Sequence, residues 1–146
     1  GERGPRRVRP AARRYCTTCP PRRVRTAVNA AYLDQPGPPE VIRVGQLPTP
    51  DPGPGEVRVR VRAAAVNPID TYIRSGLVAM ALPKPFVPGA DLAGEVDAVG
   101  PGVKRLRVGD RVWGSNQGLL GRQGTFAEYA CVAEHFLFPT PDGVAD

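Results

Sequence analysis

Proline and glycine interrupt this chain too often for long helices to form. The 146 residues include 17 Gly and 18 Pro, which are typical of turns and end regular elements. The clearest periodic segment is 56–66, where three valines alternate with three arginines, namely Val57, Val59 and Val61 with Arg58, Arg60 and Arg62. That period of two predicts an antiparallel strand with its valines buried and its arginines facing solvent.

Other short apolar segments between turn residues predict further strands. They lie at 30–33 and 41–47, after the turn at 87–91, after the turn at 108–110, and at 124–129 and 135–138. Seven or so short strands with turn-rich connections and one small helix indicate a mainly β fold, a barrel or a sandwich.

The one predicted helix lies in the segment VNPIDTYIRSG, residues 66–76. Asn67 is a typical N-cap residue, Pro68 suits the first helical position, and Gly76 suits a left-handed C-terminal turn. Ile69, Tyr72 and Ile73 share a face, whereas the spacing of Asp70 and Arg74 predicts an ion pair elsewhere on the helix.

The basic charge of the chain is concentrated in its first residues. Residues 1–28 hold nine Arg and one Glu, which leaves a net charge of −2 for the rest of a chain whose total is +6. We interpret residues 1–29 as a disordered Arg/Pro-rich leader and residues 30–146 as one domain. Three interpretations of the leader stay open: an extension foreign to the native protein, a targeting segment and a nucleic-acid-binding arm.

The cysteines and the apolar segments restrict the class of protein. Three Cys are too few for a disulfide scaffold, and Cys16 and Cys19 have no second pair to complete a metal site. Cys131 is expected to be a small buried residue of a strand. No apolar run is long enough to cross a bilayer, so membrane attachment is not expected. The few cysteines indicate a reducing, cytoplasmic setting.

Four motifs in order resemble one known family. Besides VNPIDTYIRSG, they are PGADLAG at 88–94, GDRV at 109–112 and GTFAEY at 124–129. The chain resembles the zeta-crystallin-like quinone oxidoreductases, a zinc-free branch of the medium-chain dehydrogenases/reductases. The resemblance implies a GroES-like, partly open β barrel with one or two short helices, and an NADPH-dependent reduction of a quinone or enone by hydride transfer.

The same resemblance implies roles for particular residues. Asn67 and Tyr72 would be catalytic, with Tyr72 donating a hydrogen bond to the substrate carbonyl, and Asn67 and Asp70 would contact the cofactor, Asp70 also bracing the helix. Zinc-dependent relatives carry ligands where Asn67 and Ala90 stand, so no zinc is expected. Val78 replaces a second pocket tyrosine of close relatives, which leaves the substrate preference open.

A dinucleotide-binding domain is not recognisable in the sequence. No glycine-rich turn lies between a strand and a helix, as a pyrophosphate site requires. We therefore expect a truncated chain, inactive alone, from a parent that forms a homodimer. Two other readings stay open: a non-enzymatic GroES-like binding module with a basic nucleic-acid-binding tail, and a chaperonin-like ring subunit. Nucleic acid is not expected as a partner of the domain itself.

Overall fold

A computed structural model describes residues 26–145. The predictions for the leader and for Cys16 and Cys19 therefore fall almost entirely outside the described residues. Seven strands and one α-helix follow in the order β1 Ala27–Tyr32, β2 Arg43–Pro48, β3 Glu56–Ala63, α1 Pro68–Ser75, β4 Leu92–Val99, β5 Arg111–Gly114, β6 Tyr129–Ala133 and β7 Leu137–Pro139. Short 3-10 turns lie at Pro39–Val41 and Glu134–Phe136. The predicted mainly β fold is confirmed.

The strands form two antiparallel sheets. β1 and β2 make a two-stranded ribbon, and the other five pair in the order β6-β3-β4-β5-β7. One register row crosses the larger sheet through Ala63, Ala93, Trp113 and Phe138. The Trp113 and Phe138 rings are 5.3 Å apart and each is about half exposed, so this row places an apolar stripe on the outer face of the sheet.

Two apolar cores hold these elements together. The larger core lies inside the five-stranded sheet, where each strand contributes alternate residues: Val57, Val59, Leu92, Val96, Val112, Ala130, Val132 and Leu137, with Leu106 from a loop. The smaller core joins α1 to the segments around it through Leu33, Ile73 and Phe86. The period of two in β3 is thus confirmed for Val57 and Val59, whereas Val61 is only partly buried against this core.

The prediction that all three arginines of β3 face solvent is wrong for Arg58, which is buried. It is 6 % exposed, and its Nε and Nη2 both donate to Asp97 Oδ2, at 2.9 and 2.8 Å. Its Nη1 donates to the carbonyl of Pro50 at 3.1 Å. The pairing of β3 with β4 brings Asp97 to this position, a long-range contact that a local pattern does not reveal. Arg62, in contrast, lies at the exposed end of the strand, with its side chain 43 % exposed.

Several strand limits differ from the prediction. β1 begins at Ala27 rather than residue 30, and β3 ends at Ala63 rather than residue 66. The predicted strand 124–129 is a strand only at Tyr129, because the N–H groups of Gly124 and Phe126 bind carbonyls of the 87–88 loop instead of a strand. The predicted strand 135–138 begins as a 3-10 turn and is extended only from Leu137.

Among residues 26–145, no helix is both long and apolar enough to cross a membrane.

Candidate active site

The start of α1 is fixed by Asn67, Pro68 and Asp70. Asn67 has the extended backbone of an N-cap, with φ −108° and ψ 155°. Its N–H donates to Asp70 Oδ2 at 2.7 Å, and the N–H of Asp70 donates to the Asn67 carbonyl at 3.0 Å. Gly76 ends the helix in the left-handed region with φ 83°. The predicted helix limits and its capping residues are thus confirmed.

The side chain of Asn67 extends this arrangement to two other loops. Its Nδ2 donates to Asp91 Oδ2 at 2.9 Å, and the other carboxylate oxygen, Oδ1, accepts from Ser115 Oγ at 2.5 Å. Thr125 Oγ1 holds the backbone of Asp91 by donating to its carbonyl at 2.8 Å. An ionised carboxylate only accepts hydrogen bonds, so Asp91 fixes the amide of Asn67 with Nδ2 towards it.

A concavity of about 530 Å³ adjoins this cluster. Asp91 and Ser115 line one part of it, and Trp113 with the segment 63–65 lines another. It combines an apolar surface with a few polar groups, as small-molecule sites in proteins do. Asn67 is half-buried and joins the cluster through Asp91.

Asp70 is held inside the structure. It is 5 % exposed, and burial raises the pKa of its carboxyl, with a further rise from the charge of Asp91, against the lowering effect of the N–H groups of Asn67, Ala90 and Gly89. Its carboxylate serves the helix start. A contact of Asp70 with cofactor stays a prediction, and the buried side chain offers little surface for one.

Arg74 does not pair with Asp70 as predicted. Its Nη1 donates to the carbonyl of Gly37 at 2.6 Å, and its own carbonyl accepts from the N–H of Gly37. No ion pair within residues 26–145 joins it to Asp70. The helix instead uses Arg74 to hold the turn after β1.

Among the described residues, Tyr72 makes no side-chain hydrogen bond with the Asn67 cluster. It is 46 % exposed, and within the described part of the chain its hydroxyl makes no hydrogen bond. Its neighbour Ile73 packs in the smaller core, with Val78 half-buried against the same core. The structure therefore joins Asn67 to Asp91 and Ser115 and leaves Tyr72 about half exposed on α1.

The residues present fit one end of a nicotinamide dinucleotide and not the other. The fixed amide of Asn67 suits a hydrogen bond with another amide or a carbonyl. The N-terminus of α1 does not suit a pyrophosphate, because Pro68 has no N–H, the N–H of Asp70 is bound, and the Asp70 carboxylate occupies that end of the helix.

The described residues contain no group of three or more His, Cys, Asp or Glu side chains placed to hold a metal ion. At the two positions compared with zinc ligands, the Asn67 amide is bound to Asp91 and Ala90 is buried. The absence of zinc stays a prediction that rests on the donor chemistry of these two residues.

Asp91 and Ser115 are the site residues that sequence reasoning missed. Asp91 lies in the PGADLAG motif, which was interpreted as a turn, and Ser115 lies in a polar loop. The available sign was a polar side chain just before β4 and another just after β5, because Leu92 pairs with Gly114 and the residues just beyond them must lie close together.

Comparison with known proteins identifies what this arrangement resembles. The family model described as the alcohol dehydrogenase GroES-like domain matches residues 53–142. A quinone oxidoreductase of Homo sapiens is 37 % identical over 107 residues, which cover 73 % of this chain and 31 % of the human protein.

Solved structures give the same likeness. A mycobacterial quinone oxidoreductase superimposes with a TM-score of 0.72 at 36 % identity, covering 81 % of this chain and 35 % of the other. A mycobacterial protein solved in complex with NADPH has a TM-score of 0.71 at 37 % identity, covering 81 % and 34 %. The chain thus spans about a third of the length of these proteins.

Proposed function

Because this chain belongs to the family of alcohol dehydrogenase GroES-like domains, as its motifs predicted, we propose that it is the substrate-side domain of an NADPH-dependent quinone or enone reductase. Its relatives include quinone oxidoreductases, and a structural neighbour was solved with NADPH. Since the chain covers about a third of their length, the activity is proposed for a longer protein that contains this domain.

The observation that carries the proposal is the hydrogen-bonded chain Asn67–Asp91–Ser115 beside a cavity of about 530 Å³. Such a chain fixes the uncharged amide of Asn67 in one orientation, and its other two members, Asp91 and Ser115, line a concavity of ligand size. A fixed amide can orient a nicotinamide ring or an ordered water without the energetic cost of reorganising during the reaction.

The proposed reaction adds a hydride and a proton to a quinone, which becomes a hydroquinone. NADPH, when bound with its ring oriented by Asn67, would supply the hydride. The chain's own residues would act on the substrate: Tyr72 would donate its phenol proton in a hydrogen bond to the carbonyl oxygen that gains negative charge, and solvent would supply the final proton. The aromatic product holds negative charge better than an alkoxide does, so hydrogen bonding suffices where other reductions use a metal ion.

Metal independence is part of the proposal. A catalytic zinc needs about three protein ligands with N, S or carboxylate donors. At this site Asn67 is committed to Asp91 and Ala90 supplies no donor. Dialysis of the active protein against a strong chelator is expected to leave its quinone reductase rate unchanged, and a loss restored by zinc would contradict this part.

The test of function joins this chain to the remaining two thirds of the human quinone oxidoreductase. The fusion is expected to oxidise NADPH with 1,4-naphthoquinone as acceptor, and Asn67→Ala and Tyr72→Phe are each expected to lower kcat at least tenfold, about 1.4 kcal/mol in barrier. Thr71→Ala, an exposed change on the same helix, is the matched control and should stay within about twofold.

A Tyr72→Phe rate within about twofold of the parent would remove Tyr72 from the mechanism. The 146-residue chain alone is expected to bind no NADPH in titration calorimetry, since the start of α1 does not fit a pyrophosphate. Micromolar binding would contradict the assignment of the cofactor to another domain. A cytoplasmic location, a homodimeric parent and the absence of membrane or nucleic-acid partners complete the proposal.

A further inference from the structure

The outer face of the five-stranded sheet continues into the concavity of about 530 Å³ beside Asp91. Residues two apart in an extended segment lie on the same face of a sheet. Ala93 therefore shares its face with Asp91, and Trp113 shares its face with Ser115. The register pairs Ala93 with Ala63 on one side and with Trp113 on the other. The polar pair and the indole thus belong to one continuous surface.

The apolar part of this surface consists mainly of methyl groups and one indole. Four alanines line the concavity, namely Ala63, Ala64, Ala65 and Ala93. An alanine side chain is a single methyl group, so these residues leave space above the backbone. Trp113 lines the same concavity and is 47 % exposed. A floor of methyl groups beside an indole suits a planar ring, because aromatic rings pack against each other in offset or edge-to-face arrangements.

Phe138 packs against the indole outside the concavity. The centroids of the Phe138 and Trp113 rings are 5.3 Å apart, with an angle of 32° between the ring planes. Phe138 itself does not line the concavity. Since about half of the Trp113 side chain is still exposed beside this contact, the indole keeps aromatic surface for a second ring.

The side chains of Asp91 and Ser115 present only acceptor atoms to the concavity. The Asp91 carboxylate accepts from Asn67 and from Ser115, and its remaining lone pairs can only accept again. The Ser115 hydroxyl donates its one hydrogen to Asp91, which leaves only its lone pairs for a ligand. A ligand that bonds to these two side chains must therefore supply a hydrogen-bond donor.

The charge of the concavity favours an uncharged donor over an ion. No Lys, Arg or His side chain within residues 26–145 forms an ion pair with Asp91, so the carboxylate repels an anionic ligand. A cation would leave water for a surface made largely of methyl groups, which cannot replace its hydration. A neutral hydroxyl group avoids both costs.

We propose that this concavity binds a planar aromatic ring that carries an uncharged hydroxyl group, and that Trp113 determines the specificity for that ring. The ring packs on the alanines against the indole, and its hydroxyl donates to Asp91 or Ser115. The inference rests on the proposed function for the identity of the ligand, which is then a hydroxylated aromatic quinone. Because a quinone carbonyl supplies no donor, the reacting carbonyl points away from Asp91 and Ser115.

The test titrates the 146-residue chain with three compounds that are not quinones: 2-naphthol, 2-methoxynaphthalene and cyclohexanol. Trp113 gives the only indole N–H signal of the chain in a nitrogen–proton correlation spectrum, and this signal reports binding together with the backbone amides of Ala93 and Ser115. 2-Naphthol is expected to bind about fivefold more tightly than 2-methoxynaphthalene, which has no donor. Cyclohexanol, which has a donor but no aromatic ring, should bind about fivefold more weakly than 2-naphthol.

Substitutions of Trp113 separate aromatic packing from simple apolar contact. With the backbone amides as the readout, Trp113→Leu should weaken 2-naphthol binding about fivefold, whereas Trp113→Phe should stay within about twofold of the parent. Phe138→Leu is the matched control, since it removes a half-exposed aromatic ring outside the concavity, and should change binding less than about twofold. Each variant is first shown to keep the far-ultraviolet circular dichroism of the parent.

Equal binding of 2-naphthol and 2-methoxynaphthalene would overturn the proposal, and so would a Trp113→Leu variant that binds 2-naphthol as the parent does. Tighter binding of tetramethylammonium than of 2-naphthol would overturn it in favour of a cation site. These outcomes are independent of catalysis: a fusion that lacks reductase activity, together with the expected binding pattern, would reject the proposed function and keep the site for a hydroxylated ring. An active fusion that 2-naphthol does not inhibit in competition with 1,4-naphthoquinone would keep the function and overturn the placement of the quinone in this concavity.

Discussion

Asn67 and Asp91 are 24 residues apart in the chain, yet their side chains share a hydrogen bond of 2.9 Å between Nδ2 and Oδ2. The bond ties the start of α1 to the start of β4. Because Asp91 also accepts from Ser115, a single carboxylate positions groups from two loops, and the helix start and the cavity wall become one unit.

The first prediction concerns this carboxylate. Asp91→Ala removes the acceptor of both Asn67 and Ser115 and is expected to lower the free energy of unfolding by about 2–3 kcal/mol, since partly buried donors lose their partner. Ser115→Ala removes one bond and should cost about 1 kcal/mol. Urea unfolding followed by circular dichroism measures both, and an equal cost for the two variants would show that Asp91 does not join the two groups.

The second prediction compares two arginines of β3. Arg58→Leu leaves the carboxylate of Asp97, whose side chain is 13 % exposed, without its buried guanidinium, and is expected to cost about 3–5 kcal/mol. Arg62→Leu breaks an exposed pair with Glu95 at 3.6 Å and should cost less than about 1 kcal/mol. The urea unfolding midpoints of Arg58→Leu and Arg62→Leu test this difference. Similar midpoints would mean that the Arg58 pair behaves like a surface pair.

The third prediction concerns the pairing of β3 and β4. A Cβ added at Gly94 would overlap the carbonyl oxygen of Arg60, so Gly94→Ala must push the two strands apart and is expected to destabilise the fold by about 3 kcal/mol or more. At Gly45 in β2 the added carbon would meet only the Tyr32 ring at 3.4 Å, and Gly45→Ala should change stability by less than about 1 kcal/mol. Thermal melting of both variants measures the difference.

The fourth prediction concerns pH and Asp70. Burial raises the pKa of this carboxyl above 3.8 in the folded chain, so the folded state holds the proton more tightly than the unfolded state does. The stability that Asp70 contributes is therefore full below pH 3.8 and is lost as the pH rises through the raised pKa. Asp70→Asn has no such titration.

The measurement is the difference in unfolding free energy between the parent chain and Asp70→Asn at a series of pH values from 3.5 to about 7. This difference is expected to shift against the parent as the pH rises and then to become constant. A shift in favour of the parent would mean that the hydrogen bonds to the ionised carboxylate outweigh its burial.

Local chemistry allowed α1 and the buried valines of β3 to be predicted. Capping depends on residues within four positions of each other, as with Asn67, Pro68 and Asp70, and a strand that is buried on one face shows its period of two directly. The resemblance to quinone oxidoreductases rested on contiguous motifs, and the family match confirms it.

Contacts between distant segments could not be predicted in this way. Arg58 followed the pattern of a solvent-facing residue, and only the pairing of β3 with β4 brings Asp97 to it. The segment 124–128 alternates like a strand, but its N–H groups bind the 87–88 loop. Asp91 and Ser115 likewise become partners only because the start of β4 lies beside the end of β5.

The aromatic contact between β5 and β7 gives this chain a built-in optical reporter. Trp113 is its only tryptophan, and its ring lies 5.3 Å from that of Phe138 at the edge opposite β6. Its emission spectrum therefore senses the separation of β7 from the sheet. If the emission changes before the circular dichroism signal is lost during unfolding, β7 detaches before the remaining strands do.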